Sequence, residues 1–520
     1  MDFTNINAKI AKLNAYDVAT FDNPSNSFKH FTLELKVERF RHLSNVAIPF
    51  DHPVTVLAGT NKIGKTSLLL LLACSHEKFM RLDASKPEPT WREHAWKDVL
   101  TFTKHESETN DYTYSMKWRL ANKLMSGEGK RLASSKSWSG LGKKSKEIRQ
   151  NAKIKDREVR LIDLDRLLPA RSFSASLLRK SGSGALTKMS DDLASAFCYV
   201  LGVPYKADFE IMEVGGHVNK RCYLINAPAH SYSSYGAASG EEALINLLRD
   251  ILDAPEGSLI LIDEIEAGFH PAVQRKLVRV ICQIAWEQKK QFVMTSHSST
   301  IIDAMPASSR KFIEHHNEVY RTISGIAPQA ALSKMDSIGH PLVRLFCEDD
   351  LAEFLINKVA TEISKDHKNF KRLFEIIRSG PADKVKNDYE RHKFFFDQLR
   401  NKIGYCAVFD GDHRNKAGFK ELGDADKFVH FLKPDTAPEV ALGNAYLASY
   451  PNTELEAFLG ADNHHSFFQK MVDMDLAADK GDAKNKCYSA FEGSDEFSNH
   501  FDSLKAFLID TATHFSEAKG

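Results

Sequence analysis

The stretch Gly59-Thr60-Asn61-Lys62-Ile63-Gly64-Lys65-Thr66 constrains this chain more than any other. It fits the pattern Gly-x4-Gly-Lys-Ser/Thr, with an apolar run ending at Ala58 before it and the helical string "TSLLLLLA" after it. Strand, glycine turn and helix in that order make a phosphate cradle. Loop amides and the helix N-terminus wrap phosphate oxygens, Lys65 reaches the β and γ phosphates, and the Thr66 hydroxyl holds Mg²⁺. Asn61, Gly64 and Ser67 belong to the same nucleotide-binding turn. The fold class that follows is α/β.

A second motif lies about 200 residues on, in "GSLILIDEIEAGFHP" (257–271). It reads as a buried strand, Leu259 to Ile262, ending in Asp263 and Glu264. Asp263 is placed to bind Mg²⁺ through water, and Glu264 to polarise the attacking water. "QFVMTSHSST" then repeats the strand-to-polar pattern and puts His297 where a γ-phosphate would be sensed. Upstream, "YGAASGEEALINLL" (235–248) is a small-residue turn opening a helix, with Ser239, Gly240 and Glu241 at its start.

A chain of 520 residues, 42% apolar and 27% charged, is long enough for two or three cored domains. Its longest apolar run, 66–74, is too short to span a bilayer, and residues 1–14 lack the pattern of a signal peptide, so no membrane role and a cytoplasmic location are expected. Seven scattered cysteines without CxxC spacing read as buried thiols, with no disulfide and no structural zinc. The net charge of +1 hides a split of roughly +8 over residues 1–340 against roughly −7 over 341–520. The basic excess concentrates in 117–160, which reads as a loop on a hairpin or an insertion, either merely solvated or touching a phosphate backbone, with Trp118 and Trp138 interleaved for stacking.

After a linker expected over 324–341, strand and helix alternate again. "LVRLFC" (342–347) is a strand ending at Glu348, "FEIIRSG" (374–380) a second reaching Gly380, and "YCAVF" (405–409) a third ending at Asp410-Gly411-Asp412. Acids at the carboxyl ends of parallel strands gather at one sheet edge, and period-two alternation sends Asp410 and Asp412 the same way. Hard divalent cations favour such carboxylate clusters, and a pair of them about 4 Å apart stabilises both oxygens of a phosphodiester displacement. A DxD capping a surface turn is the plainer alternative.

The motifs of the first half, in this order, resemble an ABC-type ATPase head of the chromosome-maintenance and DNA-repair group: Walker A, Ser239-Gly240-Glu241, Walker B with its glutamate, "EAGFHP" and a switch histidine. The resemblance implies ATP held between two copies, hence a dimer through the heads or a tetramer built from dimers. Lys62 replaces the usual glycine and Ala237-Ala238 the usual Leu-Ser, and no clear glutamine marks a Q-loop. The acids of the second half resemble a Rossmann-like Toprim domain. An ABC head followed by Toprim is similar to the overcoming-lysogenization-defect (OLD) nucleases, which include the Gabija ATPase-nuclease and retron-associated effectors.

The resemblance places the first Toprim glutamate at Glu348 and the DxD at Asp410 and Asp412. Asp350 or Glu353, and Glu456 or Glu454, become further metal ligands, with Asp349 standing where the family has glycine. It further implies an N-terminal extension (1–30), an ATPase domain (31–335) with dimerising helices within 172–232, and a Toprim domain (341–520). The expected activity is ATP-gated, Mg²⁺- or Mn²⁺-dependent DNA cleavage in phage defence. Glu264, Glu348, Asp410 and Asp412 would be catalytic, and a retron reverse transcriptase with its single-stranded DNA or RNA, or another defence protein, a candidate partner. The alternatives are an ATP-switched sensor or scaffold with a weak Toprim domain, and a repair ATPase without nuclease function.

Overall fold

The computed structural model describes residues 1–19, 28–83, 90–100, 110–134, 137–141, 154–167, 185–206, 208–215, 221–227, 230–234, 237–316, 319–335, 341–367, 369–398, 402–461 and 464–516. The chain divides into two compact units, Met1–Ala331 and Leu332–Ala518.

In the first unit, β1 (His30–Phe40), β2 (Leu43–Pro49) and β3 (Val54–Gly59) lead into the helix Lys65–Cys74. Next come β4 (His76–Asp83), β5 (Thr90–Glu93), β6 (Tyr112–Leu120), β7 (Lys123–Arg131), β8 (Trp138–Gly140) and β9 (Ile154–Ile162). A small sheet of β10 (Leu186–Lys188), β11 (Glu210–Val214), β12 (Tyr223–Asn226) and β13 (Ser231–Ser233) follows. β14 (Leu259–Ile262), β15 (Gln291–Ser296), β16 (Arg310–His316) and β17 (Val319–Ser324) complete the unit.

The central sheet runs β17-β16-β3-β15-β14-β9-β4-β5. Its six inner strands are parallel and its two edge strands antiparallel. β3, β14 and β15 are buried at every position, which is why they read as unbroken apolar runs rather than alternations. β15 separates the phosphate-loop strand from the Walker B strand, so both acids and His297 emerge beside the loop. A second, antiparallel sheet, β2-β1-β6-β7-β8, is stitched to the first by a buried polar net. Gln291 accepts from Thr32 N–H and donates to Thr32 O, both at 2.9 Å, while the Arg157 guanidinium donates to Thr32 Oγ1, Gln291 Oε1 and Gly257 O.

The net also places part of the basic stretch 117–160 in the interior. The stretch is largely hairpin and core strand, Arg119, Arg131, Arg157 and Arg160 are all buried, Trp118 is buried and Trp138 stacks on Trp96 at 4.1 Å. Cations here satisfy interior carbonyls and carboxylates, so the tryptophans are not free stacking platforms. The Lys-rich centre at 142–153 lies outside the described residues, as does 172–184 of the expected dimerising segment; among its described residues are the helix Asp191–Leu201 and the strands of the small sheet.

The second unit is built on a parallel sheet, β19-β18-β20-β21, from β18 (Val343–Cys347), β19 (Phe374–Arg378), β20 (Gly404–Phe409) and β21 (Val429–Phe431). The helices Asp350–Asp366 and Ala382–Phe395 make the crossovers. Later helices, Pro438–Ser449, Thr453–Gly460, Lys480–Glu492 and Asp495–Ser516, pack beside it. The expected linker holds a helix, Pro328–Met335, because its "PQAALSKM" is a good helix former with proline at the start; 336–340 lie outside the described residues. All seven cysteines are buried free thiols. Among the described residues no helix is long and apolar enough to cross a membrane.

Candidate functional sites

The phosphate loop leaves β3 and turns at Gly64, whose φ of +100° and approach to Leu43, 2.6 Å from where a Cβ would stand, leave room for glycine alone. Lys62 also lies in the left-handed region, at φ +64°, a strained setting for a side chain and the spot where the resemblance expects glycine. A cleft of about 670 Å³ opens here, lined by His42, Asn61, Lys62, Gly64, Lys65, Thr66, Ser67, Asp263, Glu264 and His297. Lys65 Nζ donates to Gly59 O at 3.0 Å and Thr60 O at 3.1 Å. Burial pushes its ammonium down to about 8, against the pull of Asp263, Glu264 and Glu266.

Thr66 Oγ1 donates to Asp263 Oδ2 at 2.8 Å, and Thr295 Oγ1 to Asp263 Oδ1 at 2.6 Å. The Thr66–Asp263 pair therefore fits a Mg²⁺ held beside a nucleotide. Glu264 takes φ +48°, and its N–H donates to Thr295 Oγ1 at 2.8 Å; strain of this kind is held by its surroundings. Glu266, the first residue of "EAGFHP" and given no role of its own from the sequence, accepts from His297 N–H at 2.5 Å, fixing the backbone of the histidine. Burial, then Lys65, holds the His297 imidazole below its ordinary pKa. Ser239, Gly240 and Glu241 do not line this cleft. They open the helix Ser239–Leu252, Ser239 is exposed, and the Glu241 carboxylate caps Ala238 N–H at 3.2 Å.

In the second unit Glu348 follows β18 and Asp410 follows the adjacent β20. Asp410 N–H donates to Glu348 Oε1 at 3.0 Å, and Gly380 N–H, at φ +100°, donates to Glu348 O at 3.0 Å. Three strand ends thus converge on Glu348. Asp410 Oδ1 is buried without a hydrogen-bond partner. Burial first, then Glu348, Asp349, Glu439 and Asp412, push the Asp410 carboxyl well above the carboxylate range. Glu348 is raised too, mainly by burial.

The alternation argument for Asp412 does not carry, because β20 stops at Phe409 and Gly411–His413 is a tight turn. Asp412 pairs with Lys416 at 2.7 Å. His413 Nε2 stands 3.4 Å from Glu348 and 3.7 Å from Asp412, linking them. The two cations that follow the acids, Arg414 and Lys416, are engaged by Asp435 and Asp412. Asp349 is the N-cap of the helix Asp350–Asp366, accepting from Leu351 N–H at 2.9 Å and Ala352 N–H at 3.0 Å. Asp350 pairs with Lys484 and Glu353 with Arg378. Glu456 is exposed on the helix Thr453–Gly460, and Glu454 pairs with Lys470.

Among the described residues no three His, Cys, Asp or Glu side chains stand together as a ready metal cage. Glu348 and Asp410 nevertheless fit a cation, since an unpartnered buried oxygen beside a second carboxylate is electrostatically incomplete. The sequence reading missed Glu439, buried in the first turn of the helix Pro438–Ser449, and His413; the second was legible as the residue after the DxD.

Residues 226–303 match the family model described as "AAA domain, putative AbiEii toxin, Type IV TA system". The first unit carries an AAA-like ATPase domain. The matched window holds Ser239, Asp263, Glu264 and His297. Among solved structures, the SMC head domain from Thermotoga maritima aligns with 11% identity and TM-score 0.35 over 56% of this chain and 98% of its own. The Pyrococcus furiosus Smc head domain with an extended coiled coil, bound to the C-terminal domain of ScpA, gives 10%, 0.37, 57% and 96%. The recombination mediator protein RecF gives 9%, 0.33, 57% and 100%. Likenesses this loose say nothing about what the chain does. No curated protein matches it.

Proposed function

We propose that this chain is an ATP-gated, divalent-cation-dependent DNA endonuclease or nickase of the OLD type, acting in phage defence. The observation that carries the reading is the pairing of Glu348 with Asp410 at two parallel strand ends, with Asp410 Oδ1 buried and unpartnered. Acids so placed are held for a ligand rather than for stability. Glu348, Asp410 and, from the turn, Asp412 hold the cation, Mg²⁺ or Mn²⁺, which when bound supplies Lewis acidity for phosphodiester hydrolysis. The Asp410 N–H keeps Glu348 turned toward the site, and His413 braces Glu348 against Asp412.

In the first unit Lys65 and the loop amides bind ATP phosphates, and Glu264 orients the hydrolytic water. The exposed Ser239-Gly240-Glu241 end faces the cleft of a second copy, which makes the working unit a dimer or a tetramer of dimers. A specific observation favours a second reading, a sensor or scaffold with a weak metal site. Asp349, Asp350 and Glu353 are occupied by a helix cap and two ion pairs, leaving few free ligands. Nicking of supercoiled plasmid with Mg²⁺ or Mn²⁺, beside an Asp410→Ala/Asp412→Ala double variant, separates the two: metal-dependent nicking that the variant lacks supports the nuclease, and no cleavage supports the scaffold.

A further inference from the structure

The second unit holds a cleft away from the acids, of about 760 Å³, formed by the helices Asp350–Asp366, Lys480–Glu492 and Asp495–Ser516. That volume is in the range of sites that hold a ligand of a few rings. Four aromatic rings follow one another along it. Phe354 meets Tyr488 at 5.8 Å, Tyr488 meets Phe497 at 5.9 Å, and Phe497 stacks with Phe501 at 5.6 Å. Phe354, Phe497 and Phe501 are only half-buried, an unusual setting for side chains whose ordinary place is a core.

Cations are interleaved with the rings. Lys358 Nζ lies 5.1 Å from the Phe354 centroid and 5.0 Å from that of Tyr488, and Lys505 lies 5.5 Å from that of Phe501. Lys371 adds an exposed charge to the lining. Lys365 is paired with Glu362, and Glu492 is the remaining acid. Three lysines against two glutamates give the lining +1, in a unit whose sequence sums to roughly −7 over 341–520. A locally cationic, aromatic groove on an otherwise acidic body suits a ligand that offers both ring faces and negative charge.

We infer that this groove binds a short stretch of single-stranded nucleic acid, bases against Phe354, Phe497 and Phe501 and phosphates toward Lys358 and Lys371. Stacking of this kind is indifferent to sequence and excludes paired bases. The inference goes beyond the proposed cleavage and does not need it, because the groove shares no residue with the acid pair.

The test is fluorescence anisotropy of a labelled oligothymidylate with the full chain in EDTA, without nucleotide. Wild type binds the single strand at least tenfold more tightly than a duplex of the same length. Phe501→Ala weakens binding about tenfold, one stacked base's worth. Lys371→Glu weakens it and lowers the salt slope by roughly one contact. Lys371 is a surface residue, so its variant keeps the fold if Phe501→Ala does not. A folded Lys371→Glu variant with unchanged affinity and salt slope for the single strand overturns the inference. Binding is read in EDTA, where no cleavage is measured, so inert acids would leave this result standing and an empty groove would not.

Discussion

At the scale of single residues, the two sites carry opposite kinds of tension. Asp410 is a carboxylate that burial and four neighbouring acids disfavour. Replacing it with asparagine should therefore raise stability in EDTA by on the order of 1–3 kcal/mol while removing cleavage. Thermal melting with and without EDTA reads the first effect; an unchanged or lowered melting temperature would show that Asp410 is not under the strain described. Glu264 is held in a left-handed turn beside Lys65 and Thr66. Glu264→Gln should keep ATP binding and slow phosphate release about 100-fold or more, since the amide cannot take a proton from water. Walker residues were legible because loop, strand and helix lie in one short stretch. Glu439 was not, and Glu266 only as part of "EAGFHP", because their roles come from neighbours distant in sequence: Asp410 for the first, His297 for the second.

Elements carry the next set of consequences. Asp349, read as an extra acid near the metal site, is instead the cap of the helix Asp350–Asp366. Asp349→Ala should cost about 1 kcal/mol and Asp349→Gly only a few tenths, with nicking unchanged in both. A large loss of nicking with full stability would make it a ligand after all. The same element logic explains why period two failed at Asp412: alternation holds only while the strand lasts, and β20 ends one residue before Asp410.

On β21, burial pushes His430 down to about 3, helped by Arg414, His500 and Lys433, and burial lowers His500 as well. Between that value and an unfolded pKa near 6.5 the unfolded chain binds more protons, so stability rises with pH and is lost on acidification. From pH 6.5 to pH 5 His430 should account for about 2 kcal/mol, and His430→Phe should flatten the acid limb of a stability curve. An acid limb as steep in the variant would assign the sensitivity elsewhere.

At the scale of the whole molecule, the chain joins a phosphate-loop cleft on one sheet to an acid pair on another. The strand-helix alternation of both halves was readable from apolar runs, since parallel sheets bury both faces of their strands. Composition did not separate the buried Arg119, Arg131, Arg157 and Arg160 from the other cations of 117–160, because it cannot tell a cation that solvates a surface from one that fills a net like that around Arg157. In the proposed function, nucleotide state governs cleavage. Its most direct test is the nicking rate of supercoiled plasmid at saturating ATP and Mg²⁺, compared between wild type and Glu264→Gln. Trapping the ATP-bound state should change the rate at least tenfold; identical rates, with Asp410→Ala/Asp412→Ala inactive, would mean that the two units work independently.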